Sequence, residues 1–260
     1  MSRKNWFVLV LMLLGGLGIF AFSLRHTNLN QLGVDLAHLR WGWFAVAIGC
    51  IVLYLGLEGV VVKIFMADRY PTFTWKNAFR LPLIEQLFNG LTPFSTGGQP
   101  AQLVAMLQAG VEGGMASSVL LMKFVVFQAM IVVNFIISIV IGFHYIAEKL
   151  HALSLLVLFG FTIHLGVIVA LLMVMYWYSF TKRVTNLVLL PVRWFGGEHR
   201  YQRLGHKLNQ KIDTFYQESV KMKREYNKLG KVAVVTLLQL LAYYIIPYFI
   251  LLALAVTGIN

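Results

Sequence analysis

The residues of this chain best placed to do chemistry lie in one interruption of an apolar segment, Thr92-Pro93-Phe94-Ser95-Thr96-Gly97-Gly98-Gln99-Pro100. Pro93 and Pro100 stop helices, and Gly97-Gly98 let the backbone turn with its N–H groups unshielded. A helix restarting at Pro100, a favoured first helical position, would aim free N–H groups and a positive dipole end at a neighbouring cavity, which attracts an anion such as a phosphate. Asn89, Thr92, Ser95, Thr96 and Gln99 add neutral hydrogen-bonding side chains. The competing reading is a structural kink whose glycines only permit close helix packing.

Three ionisable residues stand in otherwise apolar surroundings, where charge is costly and functional by default. Glu85 precedes Asn89 by one turn, so both would face the same cavity, as a headgroup contact or a proton carrier. Glu58 lies five residues before Lys63, and Lys123 lies in a later apolar run. A Glu85–Lys123 contact would satisfy both charges, with Glu58 as a further candidate charge partner. The alternative for Glu58 and Lys123 is snorkelling toward an interface. No catalytic set assembles. His144, His151 and His164 lack a His-Glu-x-x-His spacing, and Ser117, Ser118 and Ser154 lack a nucleophile elbow. There is no Walker loop for ATP, and Cys50 is the single cysteine. No metal and no cofactor are expected.

These residues must be held by elements that live in lipid. The chain of 260 residues is 59% hydrophobic and only 12% charged, about half the charge of an ordinary soluble domain. Apolar runs over 6–24, 41–66, 117–143, 153–178 and 232–257 each approach the roughly 20 residues needed to span hydrocarbon as a helix. The start imitates a signal peptide, but its apolar stretch is too long and no small-x-small cleavage site follows, so it reads as an uncleaved first span. The six tryptophans, Trp6, Trp41, Trp43, Trp75, Trp177 and Trp194, fall near the ends of these runs, where amphipathic rings prefer the headgroup region.

Of the 22 Lys and Arg residues, eighteen fall at the N-terminus or in connections that the spans place on one side, and only Arg25, Arg40 and Lys149 fall in connections on the other. The positive-inside rule then makes the N-terminus and the connection 179–231 cytoplasmic, in a bacterial cell membrane. Both flanks of the interrupted segment 75–110 become cytoplasmic too, so it must cross an even number of times. Its two pieces, of about 17 and 11 residues, would be about 25 and 16 Å long as helices. The second cannot cross alone, and a re-entrant pair is expected, lining a wet cavity or buried in protein.

From His199 to Leu229, apolar Leu204, Leu208, Ile212, Phe215, Met222, Tyr226 and Leu229 recur at steps of three, four or seven, predicting an amphipathic helix. Its other face carries Arg203, Lys207, Lys211, Lys221, Lys223, Arg224 and Lys228, within a connection of twelve basic and four acidic residues. Such a face suits anionic lipid headgroups, at about 1 kcal/mol per nearby charge. Positive-inside topology combined with packing on the bundle would produce the same pattern. No nucleic-acid motif accompanies the charge. The fold expected is an all-α polytopic transmembrane bundle, a single domain over 1–260 that continues beyond 260 in the natural protein, with a re-entrant broken-helix pair and a cytoplasmic amphipathic helix.

The stretch Asn89-Gly90-Leu91-Thr92-Pro93-Phe94-Ser95-Thr96-Gly97-Gly98-Gln99-Pro100, in an apolar protein with a basic cytoplasmic insertion, resembles the lysylphosphatidylglycerol synthase transmembrane family. That family's signature is an Asn or similar residue, a Thr-Pro, then Gly-Gly followed by Glu or Gln and Pro. The resemblance implies a flippase-like translocase of phospholipid, such as lysylphosphatidylglycerol, or of an isoprenoid-linked lipid, connected with resistance to cationic peptides. Members joined to a synthase transfer lysine from its tRNA to phosphatidylglycerol. This chain lacks the soluble acyltransferase-like domain, so it is not expected to be catalytic by itself. The lipid is expected to dock at Thr92 to Pro100, with Glu85 and Asn89 beside it. Two other readings stand next to translocation: the membrane portion of a phosphatidylglycerol lysyltransferase, and a scaffold that presents its basic helix to a partner protein. Expected partners are anionic or aminoacylated phospholipids and further copies of the chain, with no nucleic acid.

Overall fold

A computed structural model describes residues 38–92, 95–149, 154–185 and 198–254, with the isolated positions 18 and 187. Apart from position 18, the expected first span 6–24 lies outside the described residues. So do Pro93 and the end of the last expected span. Every regular element among the described residues is helical: α1 (Trp41–Met66), α2 (Trp75–Leu91), α3 (Gly98–Gln108), α4 (Gly113–Lys149), α5 (Ser154–Tyr176), α6 (Glu198–Lys223), α7 (Tyr226–Tyr244) and α8 (Ile246–Ala253). Four stretches are long and apolar enough to cross a bilayer, Trp41–Met66, Gly113–Ile141, Phe159–Tyr176 and Tyr226–Ala253. They overlap the expected spans 41–66, 117–143, 153–178 and 232–257, with the same bounds for the first and ends shifted by two to six residues for the others. The last is interrupted at Ile245, where Pro247 lies at the second position of α8 and has no N–H to continue the ladder of α7.

The interrupted segment is a helix hairpin. Thr74 starts α2 by accepting a hydrogen bond from the Asn77 N–H at 3.3 Å, and α2 ends at Leu91, with Thr92 extended. After the break α3 runs back along α2. The outer ends meet, since the Tyr70 hydroxyl donates to the Gly110 carbonyl at 3.1 Å. Gly110 has φ +86, the left-handed conformation that favours glycine at a helix end, and a Cβ there would lie 2.8 Å from the Tyr70 hydroxyl.

The helices gather around one end of the bundle. Phe65 and Met66 near the end of α1, Phe73 before α2, Met106 near the end of α3, Met175 near the end of α5, Met222 in α6 and Val232 in α7 are all essentially inaccessible. Further along, α1, α4 and α7 expose Val52, Val140, Ile141 and Leu238. Lipid tails solvate such side chains as well as a protein core does, so bundle faces need not close there.

The expected single helix from 199 to 229 is two helices. Residues Arg224 and Glu225 form a turn between α6 and α7, with their N–H groups bonded to the Lys221 and Met222 carbonyls. The break aims Glu225 at Arg69, whose side chain is 1% exposed. The Arg69 guanidinium donates to both Glu225 oxygens at 2.9 and 3.1 Å, to Glu218 at 3.1 Å and to the Phe65 carbonyl at 3.1 Å. Lys228, expected on a basic surface face, instead pairs with Asp68 at 2.8 Å and Glu225 at 2.9 Å. Five charges thus tie the α1–α2 connection to the α6–α7 turn.

On α6 itself Ile212, Phe215, Ser219 and Met222 form a buried stripe against the start of α4. The Ser118 and Ser219 hydroxyls meet at 3.0 Å, and a Cβ at Gly114 would lie 2.8 Å from the Lys211 carbonyl. The apolar stripe of α6 therefore packs on the bundle. Lys211, Lys221, Lys223 and Arg224 point outward. The side chains of Arg203 and Lys207 lie outside the described set.

Burial pushes the Glu225 carboxyl up, but hydrogen bonds from Lys228 and Arg69 outweigh it and hold it below its ordinary value. A lowered folded value means stability that is present above the unfolded carboxyl value of about 4.3 and lost as pH falls through the folded one. Arg69→Met should cost roughly 1–3 kcal/mol, read as a lower thermal unfolding midpoint in detergent. It should also flatten the loss of stability that the unsubstituted protein shows on acidification.

Candidate functional site

The glycine break is shaped by side chains of the helix before it. The Thr92 hydroxyl donates to the Phe88 carbonyl at 2.7 Å and accepts from the Gly97 N–H at 2.8 Å. The Asn89 side-chain oxygen accepts from the Gly98 N–H at 2.9 Å. With these caps α3 starts at Gly98, two residues before the expected Pro100, which becomes its third residue. Proline has no N–H and the Gly98 N–H is spent on Asn89, so two of the first three helical residues offer nothing to an anion. The Gly97 and Gly98 amides of the expected nest are thus taken up by the protein's own oxygens. Ser95, at φ 53, turns the chain; Ser95, Thr96 and Pro100 are exposed.

The same close approach positions a buried charge cluster. Lys123 Nζ donates to Glu58 Oε1 at 2.6 Å, to Glu85 Oε2 at 2.9 Å and to Gln102 Oε1 at 2.9 Å. Gln102 Nε2 donates to Glu58 Oε1 at 3.2 Å and to the Leu81 carbonyl at 3.1 Å. Gln99 Nε2 donates to the other Glu85 oxygen at 2.9 Å. The side chains of Glu58, Lys123 and Glu85 are 5%, 8% and 16% exposed. Four helices, α1, α2, α3 and α4, each contribute, and the expected Glu85–Lys123 contact is among those made.

Depth follows from helical rise. Glu58 is eight residues before the end of α1, Glu85 ten after the start of α2, and Lys123 ten after the start of α4. At 1.5 Å per residue these are about 12, 15 and 15 Å along the helices from the same end of the bundle. Glu58 and Lys123 therefore meet each other rather than snorkel to an interface.

The cluster forms one wall of a cavity of about 180 Å³, below the range of about 300–1,000 Å³ typical of sites that enclose a whole small molecule. Glu58, Glu85, Asn89, Gln99 and Lys123 line it, joined by Tyr54, Gln86, Thr236 and Gln239, with Phe124 and Phe127 as apolar walls. Thr92, Gly97 and Gly98 shape the turn without lining the cavity. Sequence reasoning missed Gln102, although it follows Gln99 by one turn on the restarted helix. Thr236 and Gln239 were legible as a polar pair three residues apart in an apolar run. Tyr54 carried no signal that would separate it from other aromatic residues in a span.

The cavity can take a polar group of modest size. Two carboxyl groups and one ammonium face it; with both carboxyls ionised the wall has an excess negative charge, which repels a bare phosphate and attracts a cation. Among the described residues no cluster of His, Cys, Asp and Glu has the make-up of a metal site.

Fold and site together define a polytopic helical membrane protein with a polar site beside a helix break. Residues 7–259 match the family model of the lysylphosphatidylglycerol synthase TM region, and the chain belongs to that family. No curated protein and no solved structure matches the chain.

A Cβ on Gly98 would collide with the Asn89 carboxamide and lie 2.7 Å from Glu85 Cγ. Gly98→Ala should therefore destabilise the protein by about 1–3 kcal/mol, as overpacking does. Asn89→Ala alone should cost about 1 kcal/mol through the lost cap. In the double variant the added methyl meets no carboxamide, so its thermal midpoint in detergent should fall by less than the sum of the single shifts.

Proposed function

We propose that this chain translocates lipid by admitting a headgroup that bears an amine into the cavity beside Glu58, Glu85 and Lys123. One observation carries the reading: a buried, hydrogen-bonded charge cluster opens on a small cavity with polar groups in its wall, at a helix break. Charge at this depth is costly unless it serves binding or transport, and broken helices are the usual scaffold of transporter sites. The cavity's size admits a headgroup fragment while the acyl chains stay in the bilayer. Its excess carboxylate favours an aminoacylated or other amine-bearing phospholipid over a bare phosphate, in keeping with a family described by lysylphosphatidylglycerol. The hairpin of α2 and α3 enters from the cytoplasmic leaflet and returns to it. Its outer ends then lie with the basic face of α6, where Lys211, Lys221, Lys223 and Arg224 meet anionic headgroups.

The family's description also supports a second reading, in which the chain is the membrane portion of a phosphatidylglycerol lysyltransferase and delivers lipid to a catalytic domain.

The purified chain in liposomes should accelerate exchange of labelled lysylphosphatidylglycerol between leaflets, measured by dithionite quenching. Lys123→Met, which leaves two carboxylates facing each other, should reduce the rate at least tenfold. Equal rates with and without protein would sink the translocase. Lysyl-lipid formation from lysyl-tRNA by this chain alone would favour the synthase reading.

A further inference from the structure

The charges in the cavity wall do not balance. Lys123 supplies one positive charge to two carboxylates, Glu58 at 2.6 Å and Glu85 at 2.9 Å. The other polar groups around them are neutral: Gln99 and Gln102 on α3, Asn89 and Gln86 on α2, Thr236 and Gln239 on α7. The titratable groups facing the cluster from each packed element are Tyr54 and Glu58 on α1, Glu85 on α2, Lys123 on α4 and Tyr243 on α7, whose ring lies 5.2 Å from that of Tyr54. Among the described residues, none of the others adds a positive charge. An uncompensated charge buried in a low-dielectric setting is costly, so the cluster is one cation short. Glu58, the more deeply buried carboxylate, is held by Lys123 and Gln102 through one oxygen, Oε1, and both carboxylates border the cavity.

We propose that the Glu58–Lys123–Glu85 cluster is a proton-exchange site, holding one proton when the cavity is empty and giving it up when a headgroup ammonium enters. The exchange balances: R–NH₃⁺ and the protonated carboxyl become the carboxylate–ammonium pair and a released proton, so the wall loses one positive charge and its occupant brings one, and the cavity with its contents keeps the same net charge. Cavity and cluster share their residues, so proton and ammonium compete for the same excess charge and cannot both be bound. Lipid then moves opposite to the proton. This inference rests on the translocase reading and adds to it the source of the driving force.

Two measurements test it on the full chain. Infrared difference spectra of the protein in lipid, recorded during a pH titration, should show the C=O stretch of a protonated carboxyl. Glu58→Gln and Glu85→Gln, which each remove the excess charge while keeping a hydrogen-bonding side chain, should each abolish it. In liposomes carrying labelled lysylphosphatidylglycerol, a pH gradient should drive the lipid toward the leaflet facing the acidic side. The steady-state bias should approach about tenfold per pH unit, be absent from protein-free liposomes and be lost in both variants. A missing carboxyl band, or lipid exchange indifferent to the gradient, overturns proton exchange while leaving translocation standing. Absence of lipid movement under every gradient overturns translocation, and the exchange with it.

Discussion

An ammonium group about 15 Å from the end of a membrane helix must find its counter-charges within the protein, because neither lipid tails nor distant water can supply them. Lys123 finds two carboxyl groups on two other helices and a neutral acceptor on a third. Glu58 comes from the middle of a long span, Glu85 from the first arm of the hairpin, and Gln102 from the second. For these atoms to lie 2.6–2.9 Å from one nitrogen, α3 has to fold back along α2, with α2 packed on α1 and α3 on α4. Removing one partner would leave buried charge unanswered, which is why the cluster constrains the architecture more tightly than the apolar contacts do. Those contacts are interchangeable with lipid over much of the bundle.

The break between α2 and α3 solves a related problem. A chain that turns around inside a bundle exposes helix-end carbonyls and amides that need partners. Thr92 and Asn89 provide them from the preceding helix, while glycine at 97 and 98 allows those side chains to come close enough. This local solution fixes which chemistry remains available. The Gly97 and Gly98 amides, which could have received a phosphate, are already bonded, and what faces the cavity is a pair of carboxyl groups sharing one lysine. The electrostatic character of the site is set by the turn's own capping as much as by the residues on its walls.

Arg69 plays the corresponding part at the end of the bundle. Its planar fork of donors engages Glu218, Glu225 and the Phe65 carbonyl at once, a geometry that a lysine could not reproduce. It joins the connection leading into the hairpin to the turn between the basic helix and the last span. The hairpin is therefore anchored at both levels: by Lys123 within the bundle and by the Arg69 network where the chain leaves it.

Much of this was determined by the sequence alone. The number of candidate spans in the described region follows from runs of apolar residues, because crossing hydrocarbon requires about 20 of them in succession and little else satisfies the backbone there. The hairpin break is written in Pro93, Gly97, Gly98 and Pro100, and the Glu85–Lys123 contact could be anticipated because intramembrane charges seek each other. Tertiary structure decided the rest. Which oxygen takes the Gly98 amide depends on how closely α3 returns to α2, and this changed an anion nest into a capped turn. The split of the basic helix at Glu225 depends on Arg69, about 150 residues away in the chain, and periodicity cannot see so distant a partner. Sequence spacing places residues on the face of one helix; the charge of a site made by four helices is settled only when they meet.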